Sequence, residues 1–418
     1  MLNCCEVFKG LFLMDGVGWL FACTFAFVGV LSLVYSFSYM KKYKTHIVEY
    51  YLVFILMIGS LIGLAFSGNL ILMYIFWELI AFSTWRLVGF HREPRVVAIA
   101  DKAFLMTFFG SCFMLLGFVM LNQEFGTLNL IQIRGLSMAG FASPSLMTMI
   151  FIFAGIIAKS ATIPLHVWLA DAHPVAPSPM SAVLSGLVAK VGILGFSRIF
   201  LQGLGFTGEW ILIIAGISSL AAAGAAMVET DMKRIIAHST VSQLGFIFLG
   251  LGLATKLGIV WGLLYFTAHA IAKAGLFLCA GIVEQKTGER DIRKMGGLIK
   301  SMPVTGVSFL LCSLSIMGIP PLIGFYPKLG IVMGLVESGH FYIAILSILI
   351  AIMTVFYLLR IFTAVFIGDN KQGSLSAKEG SMTMVVVVLI LAACSLGLGL
   401  FVNFPLGLVN EAAVSIIR

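Results

Sequence analysis

Charge is what this chain lacks most. Charged residues make up 11% of its 418 residues against 60% hydrophobic ones, and a soluble domain, about a quarter charged, is excluded on that ground. The seven cysteines include no CxxC pair and no His/Cys cluster. Cys4 and Cys5 are adjacent, while Cys23, Cys112, Cys279, Cys312 and Cys394 fall inside apolar runs. They read as packing residues, so neither a metal site nor a cofactor such as haem, flavin or an iron–sulfur cluster is expected. The first residues lack a basic stretch followed by a short apolar core and a small-residue cleavage site, so no cleaved signal is expected. A net charge of +8 suits nucleic acid in principle. Here the basic residues sit in short loops and form no continuous patch, so no nucleic-acid partner is expected.

What is present is apolar sequence in long runs. The mean hydropathy is +1.08, and stretches of 18 or more apolar residues recur, which predicts an all-α, polytopic membrane protein in contact with lipid. About twelve spans are expected by the roughly 20-residue criterion. They cover 17–39, 48–66, 70–90, 98–121, 145–168 and 179–200 in the first half, then 210–227, 234–253, 257–283, 303–336, 341–367 and 382–402. The layout divides into an N-terminal helix (1–47), a five-helix unit (48–201), a second five-helix unit (202–367) and a C-terminal helix with a tail (368–418). Loops after the odd-numbered spans carry most basic residues, including Lys41, Lys42, Lys44, Arg92, Arg95, Lys371 and the run from Lys286 to Lys300; the other side has only Lys9, Arg134, Arg198, Lys256 and Arg418. The positive-inside rule then places both termini of a multi-pass cell-membrane protein outside the cytoplasm.

The most informative stretch is 153–184, FAGIIAKSATIPLHVWLADAHPVAPSPMSAVL. It sets Lys159 inside an apolar run, where an ammonium costs at least ~2.5 kcal/mol and is tolerated mainly beside a partner or water. Pro164 then removes a backbone donor and frees a carbonyl that lipid cannot satisfy, so the helix must break where protein or a wet cavity receives it. Glu78, Lys190, Lys273 and Lys328 are likewise stranded within spans, and His269 lies one turn before Lys273 on the same helix face. Lys328 closes IMGIPPLIGFYPKLG, so the tenth span repeats the features of the fifth: prolines, glycine and a lysine. Interrupted helices at matching places in two halves point to inverted repeats with ion sites near the membrane centre. His166 and His173 lie near the end of the broken helix and read equally as loop residues, His238 as a path residue or one bonded to a carbonyl, and Asp231, Lys233 and Arg234 as a solvated helix start. Arg86 reads as a snorkelling residue.

Four blocks, KSATIPLHVWLADAHPVAPSPMSAVLSGLVAKVG, ETDMKRIIAHSTVSQLG, HAIAKAGLFLCAG and GIPPLIGFYPK, resemble the antiporter-like membrane subunits shared by respiratory complex I, membrane-bound hydrogenases and multisubunit cation/proton antiporters. The resemblance runs from Leu11 to about Phe366. It implies two inverted five-helix units, each with a broken helix, and a line of charges along the membrane centre. By motif match Glu78 resembles the acid that pairs with Lys159, Lys190 the connecting lysine, Lys273 the lysine of the second unit and Lys328 the terminal lysine; His238, His269 and His166 are further relay candidates. Family members commonly have fourteen spans, so the first two are expected to be absent here. His238 often corresponds to a tyrosine, and Trp85 and Arg86 to apolar residues.

A carboxylate that approaches and leaves a buried amine switches it between holding and releasing a proton. The expected function is therefore a non-redox, ion-translocating subunit, moving protons or sodium ions within a redox-driven complex I-like or hydrogenase-like assembly and docked on other membrane subunits. The alternative is a subunit of a stand-alone multisubunit sodium/proton antiporter. A zinc hydrolase using His166, His173 and Asp171 is the third class, and its spacing matches no standard zinc motif.

Overall fold

Helix boundaries recur in this chain at a fixed separation, and that register organises the fold. The structure, a computed structural model, describes residues 10–206, 208–369 and 377–417; Cys4, Cys5, Lys9, Lys371 and Arg418 lie outside the described residues. Sixteen helices follow one another among the described residues. The first half has α1 (Gly16–Lys42), α2 (Ile47–Ala65), α3 (Leu70–Val88), α4 (Pro94–Phe125), the short α5 (Leu130–Met138), α6 (Leu146–Lys159), α7 (Val167–Val175) and α8 (Ser178–Gly203). The second has α9 (Glu209–Val228), α10 (Met232–Gly252), α11 (Lys256–Thr287), α12 (Pro303–Met317), α13 (Phe325–Glu337), α14 (Phe341–Ile367), α15 (Met382–Leu400) and α16 (Asn403–Ile417).

The starts of α2 and α9 (47 to 209), α3 and α10 (70 to 232) and α4 and α11 (94 to 256) are each 162 residues apart, and α4 and α11 are both 32 residues long. The caps repeat as well. Asn69 caps α3 and bridges to Asn129, while Asp231 caps α10 and bridges to Asp291. Each bridge closes on backbone hydrogen bonds: Leu70 to Leu128 and Leu130 to Gly68 at 3.0 Å, Met232 to Arg290 at 2.9 Å and Ile292 to Thr230 at 3.0 Å. α4 and α11 both stop at a left-handed glycine, Gly126 with φ 69° and Gly288 with φ 70°, a conformation only glycine takes without a steric penalty. This residue-level repeat is invisible in the side chains themselves, because asparagine in one half and aspartate in the other do the same capping.

Two of the membrane-depth charges do not follow the register. Adding 162 to Glu78 gives Thr240, and subtracting it from Lys273 gives Ser111. Arg198 and Arg360 are 162 residues apart and do repeat, so the duplicated frame keeps that arginine but does not duplicate Glu78 or Lys273.

Among the described residues ten helices are long and apolar enough to cross a bilayer, and the remaining two of the expected crossings are the interrupted pairs α6/α7 and α12/α13. Both interruptions are received by neighbouring helices, as backbone in a membrane requires. At the first, Trp168 Nε1 donates to the Ala158 carbonyl at 3.0 Å and the Ile163 amide donates to Ser218 Oγ of α9 at 3.1 Å. At the second, the Ile323 amide donates to the Ser395 carbonyl of α15 at 3.1 Å. Gly399, one turn further along α15, leaves no room for a β-carbon against the backbone of Pro321 to Ile323.

Several expectations are corrected. The linker at 122–144 contains α5, and the tail beyond residue 402 is the helix α16, whose Ser415 carbonyl accepts from Gln202 Nε2 at 3.0 Å and Arg134 Nη1 at 3.1 Å. Arg198 is no loop charge: it is fully buried and donates to Asp15 at 2.6 Å, to Gln202 Oε1 at 2.7 Å and to the Ala65 carbonyl at 2.7 Å. Lys233 is not solvated but buried and paired with Glu284 at 2.6 Å. Arg86 pairs with Glu49 of α2 rather than snorkelling alone. Cys23 and Cys112 are exposed on the outer surface of the bundle instead of packed.

Candidate functional site

Lys159, Lys190 and Lys273 have 1%, 0% and 0% of their surface exposed, and Lys328 has 6%. Each amine reaches neutral groups rather than an acid. Lys159, the last residue of α6 before the break, donates to the Trp77 carbonyl at 3.3 Å and lies 5.8 Å from the Trp77 ring centre. A carbonyl and a π face both stabilise an ammonium without neutralising it. Glu78 follows Trp77 on α3, near enough for its charge to act on Lys159, yet the two form no ion pair and Glu78 Oε1 is buried without a partner. The acid and amine matched by motif are therefore neighbours that stand apart.

Lys190 sits where α8 stops being regular. Gly186 ends an α-helical segment, Leu187 leaves helical geometry with φ −125° and ψ −58°, and residues Val188–Lys190 form a 3₁₀ turn. At that point Lys190 Nζ donates to the Ser185 carbonyl of the preceding turn. Mid-helix 3₁₀ and π segments often mark functional hinges, and a π segment, Phe196–Gly203, follows.

Lys273 donates to Ser239 Oγ at 2.6 Å and to the Ile236 carbonyl at 3.1 Å, both on α10. Tyr265, His269 and Lys273 succeed one another at i, i+4 and i+8, on one face of α11. His269 is fully buried with both ring nitrogens unpartnered, and the charges of Lys190, Lys273 and Lys328 all act on it. Lys328 Nζ has no hydrogen-bond partner and lies over the rings of Phe246 at 5.0 Å and Tyr265 at 5.8 Å. The structure thus brings Lys190, His269, Lys273 and Lys328 into one electrostatic cluster and keeps Glu78 with Lys159 as another.

His166 and His238 stand apart from both, half-buried, near each other and beside Asp171. Asp171 is engaged by Lys102 at 2.8 Å and Arg234 at 3.3 Å, which leaves its carboxylate committed to cations. His173, expected near the end of the broken helix or in a loop, is fully buried on α7 with both nitrogens unpartnered, stacked at 4.2 Å on Phe277. Lys190, Lys233 and Lys273 act on it. The signal was its spacing: seven residues after His166 is two helical turns, on the same face.

A polar cavity of about 400 Å³ opens on the side of the basic loops, lined in part by Pro174 and Val175 at the end of α7. Its wall includes Asp171, Asp231, Arg290 and the Lys233–Glu284 pair, and Ser178 Oγ beside it donates to Tyr39 Oη at 3.2 Å. Asp231 caps α10 while keeping Arg290 at 3.4 Å. Burial pushes the Asp231 carboxyl up, outweighing the pull of Arg290 and of the amides of Arg234 and Lys233, so the net shift is upward.

Known proteins share both this sequence pattern and this geometry. The profile of the family described as NADH:quinone oxidoreductase/Mrp antiporter, TM matches residues 67–354. The chain is 32% identical over 434 residues to a Na(+)/H(+) antiporter protein of Alkalihalophilus pseudofirmus, covering 96% of this chain and 54% of that protein. It is 34% identical over 436 residues to a Na(+)/H(+) antiporter protein of Staphylococcus saprophyticus, with 97% and 54% covered. To another component of the A. pseudofirmus Na(+)/H(+) antiporter it is 29% identical over 380 residues, covering 89% of this chain and 76% of the other. All three are named as subunits of such antiporters. The chain spans about half the length of the first two relatives. Its fold is that of a chain in the Mrp complex from Dietzia sp. DQ12-45-1b, with a TM-score of 0.89, 22% identity, and 97% and 84% of the two chains covered. Profile, sequence and fold agree, and the chain belongs to the family of multi-pass membrane subunits shared by NADH:quinone oxidoreductases and Mrp antiporters.

Proposed function

We propose that the chain is the ion-translocating subunit of a multisubunit sodium/proton antiporter, moving protons along Glu78, Lys159, Lys190, His269, Lys273 and Lys328 while other membrane subunits complete the sodium path. The observation that carries this reading is the row of buried amines held by carbonyls, hydroxyls and ring faces rather than by acids. An amine so placed sits where burial disfavours the ammonium and only dipoles and ring faces support it, so a modest change in nearby charge decides whether it holds its proton. Glu78, unpartnered beside Lys159, supplies that change: its approach holds the proton on Lys159 and its withdrawal releases it toward Lys190. His173, on which Lys190, Lys233 and Lys273 all act, is the histidine that lies between the basic side and the cluster in this reading.

Membership of a redox-driven assembly, the first expectation from sequence, takes second place, because the named relatives are Na(+)/H(+) antiporter subunits. The family description covers both. Membership is decided by what co-purifies: small antiporter subunits favour the first reading, and iron–sulfur or hydrogenase-like subunits the second. Both termini of a cell-membrane protein would lie outside the cytoplasm, and a reporter fused at either end checks this by its activity on that side. The relay is tested by Lys159→Ala and Glu78→Ala in the assembled complex. Sodium-driven proton movement in everted vesicles is expected to vanish in both with assembly intact, and normal transport in either refutes the assignment.

A further inference from the structure

Between Lys273 and the Tyr265 ring beneath Lys328 runs a set of uncharged side chains whose hydrogen bonds have determinable directions. Ser239, Gln243, Tyr265, Thr354 and Tyr357 are all fully buried, so no bulk water rearranges them. Lys273 donates to Ser239 Oγ at 2.6 Å, and Ser239 in turn interacts with the Tyr357 hydroxyl. The Thr354 hydroxyl spends its proton on the Ile350 carbonyl at 2.8 Å. It must therefore accept both from the Tyr357 hydroxyl, at 3.2 Å, and from Gln243, at 3.0 Å. That fixes which end of the amide is nitrogen, a choice otherwise open to a flip. With Nε2 turned to Thr354 and to Tyr357 at 3.3 Å, Oε1 faces Tyr265, whose phenol donates to it at 2.5 Å.

The consequence is a divergence at Gln243. Protons point from its nitrogen toward the Lys273 side, and its oxygen receives the phenol proton from the Lys328 side. A primary amide nitrogen only donates, so a proton leaving Lys273 through Ser239 and Tyr357 meets a donor it cannot enter. Tyr265, with its proton committed to Gln243, presents its ring to Lys328, which lies 5.8 Å from that ring and 5.0 Å from the Phe246 ring and has no hydrogen-bond partner.

We propose that Gln243 is a proton check between Lys273 and Lys328, closed in the arrangement seen and opened when its amide turns over or a water bypasses it. This deepens the antiporter reading and rests on it. It is tested in the purified complex with its partner subunits, reconstituted in vesicles, by two near-isosteric replacements. Gln243→Glu installs a group that both takes and gives a proton, and is expected to raise passive proton entry, without sodium, several-fold over wild type. Gln243→Met keeps the shape but removes the dipole. It is expected to remain as tight as wild type in the passive assay while losing about tenfold or more of coupled transport, as a misplaced Tyr265 would cause. A residue with only a structural role would give the two variants the same leak. Equal leaks in both, or wild-type transport in Gln243→Met, overturns the proposal. Co-purification of each variant with its partners shows that it is folded. Lys159→Ala serves as the control for the function itself: if that variant still transports, the relay reading fails, while the passive-leak comparison at Gln243 stands or falls by itself.

Discussion

Removing the carboxylate of Asp15 should destabilise this protein by leaving the buried Arg198 without its counter-charge. Arg198 is fully buried, and Asp15 is 14% exposed and 2.6 Å from its guanidinium. Breaking a buried pair by deleting one partner typically costs about 3–5 kcal/mol, because a charge is left uncompensated. Arg198 keeps Gln202 and the Ala65 carbonyl, so Asp15→Asn is placed at the lower end, about 3 kcal/mol. Asparagine still caps α1, where the Asp15 oxygen accepts from the Gly18 amide at 2.8 Å. Alanine does not, and should cost about 1 kcal/mol more. The pH dependence has a definite sign. Burial pushes the Asp15 carboxyl up, but the Arg198 charge, its hydrogen bond and those from Gly18 and Gln202 together bring it below 3.8. A carboxyl lowered on folding contributes stability that is full above its unfolded value and lost as pH falls through the folded one. Wild type and Asp15→Asn should thus differ most near neutrality and converge below about pH 3.8. Denaturant unfolding in detergent, followed across pH, reads this directly. Equal stability at pH 7, or a gap that widens toward acid, refutes the reasoning.

Other outcomes follow from the same geometry. Lys233→Met should destabilise by about 2–3 kcal/mol by stranding Glu284, less than a fully buried pair because Glu284 is 26% exposed and retains Arg290 at 3.8 Å; Lys233→Met with Glu284→Met should recover most of the loss in the same melt. Gly399→Ala drives a β-carbon into the backbone of Pro321 to Ile323, and about 1–3 kcal/mol of overpacking strain should appear as a lowered melting temperature. His173→Phe preserves the stack on Phe277 and should leave stability within about 1 kcal/mol while sodium-driven proton transport falls; unchanged transport would remove His173 from the path.

The candidate axis was unevenly legible in sequence. Lys159, Lys190, Lys273 and Lys328 stood out because a lone amine in an apolar run has few explanations. Lys233 and Arg198 escaped because each lies at a helix end, where sequence cannot distinguish a solvated charge from one folded inward onto Glu284 or Asp15. Tyr265, Gln243 and Tyr357 were missed for a different reason. Neutral polar residues in membrane helices are common, and only the meeting of α10, α11 and α14 makes these three one network. The internal repeat hid similarly, its strongest correspondences being caps and a helix-ending glycine rather than matching side chains.

By itself the sequence determined the membrane class, the helical fold and its two interruptions, since hydropathy, proline and buried charge act locally and leave a mark at fixed positions in the chain. Only the tertiary structure decided which charges face one another. Glu78 stands off Lys159, Lys233 closes on Glu284, and Gln243 directs its amide between Lys273 and Lys328. Those relations depend on side-chain directions from helices distant in sequence, and a few ångströms there separate an ion pair from a proton path.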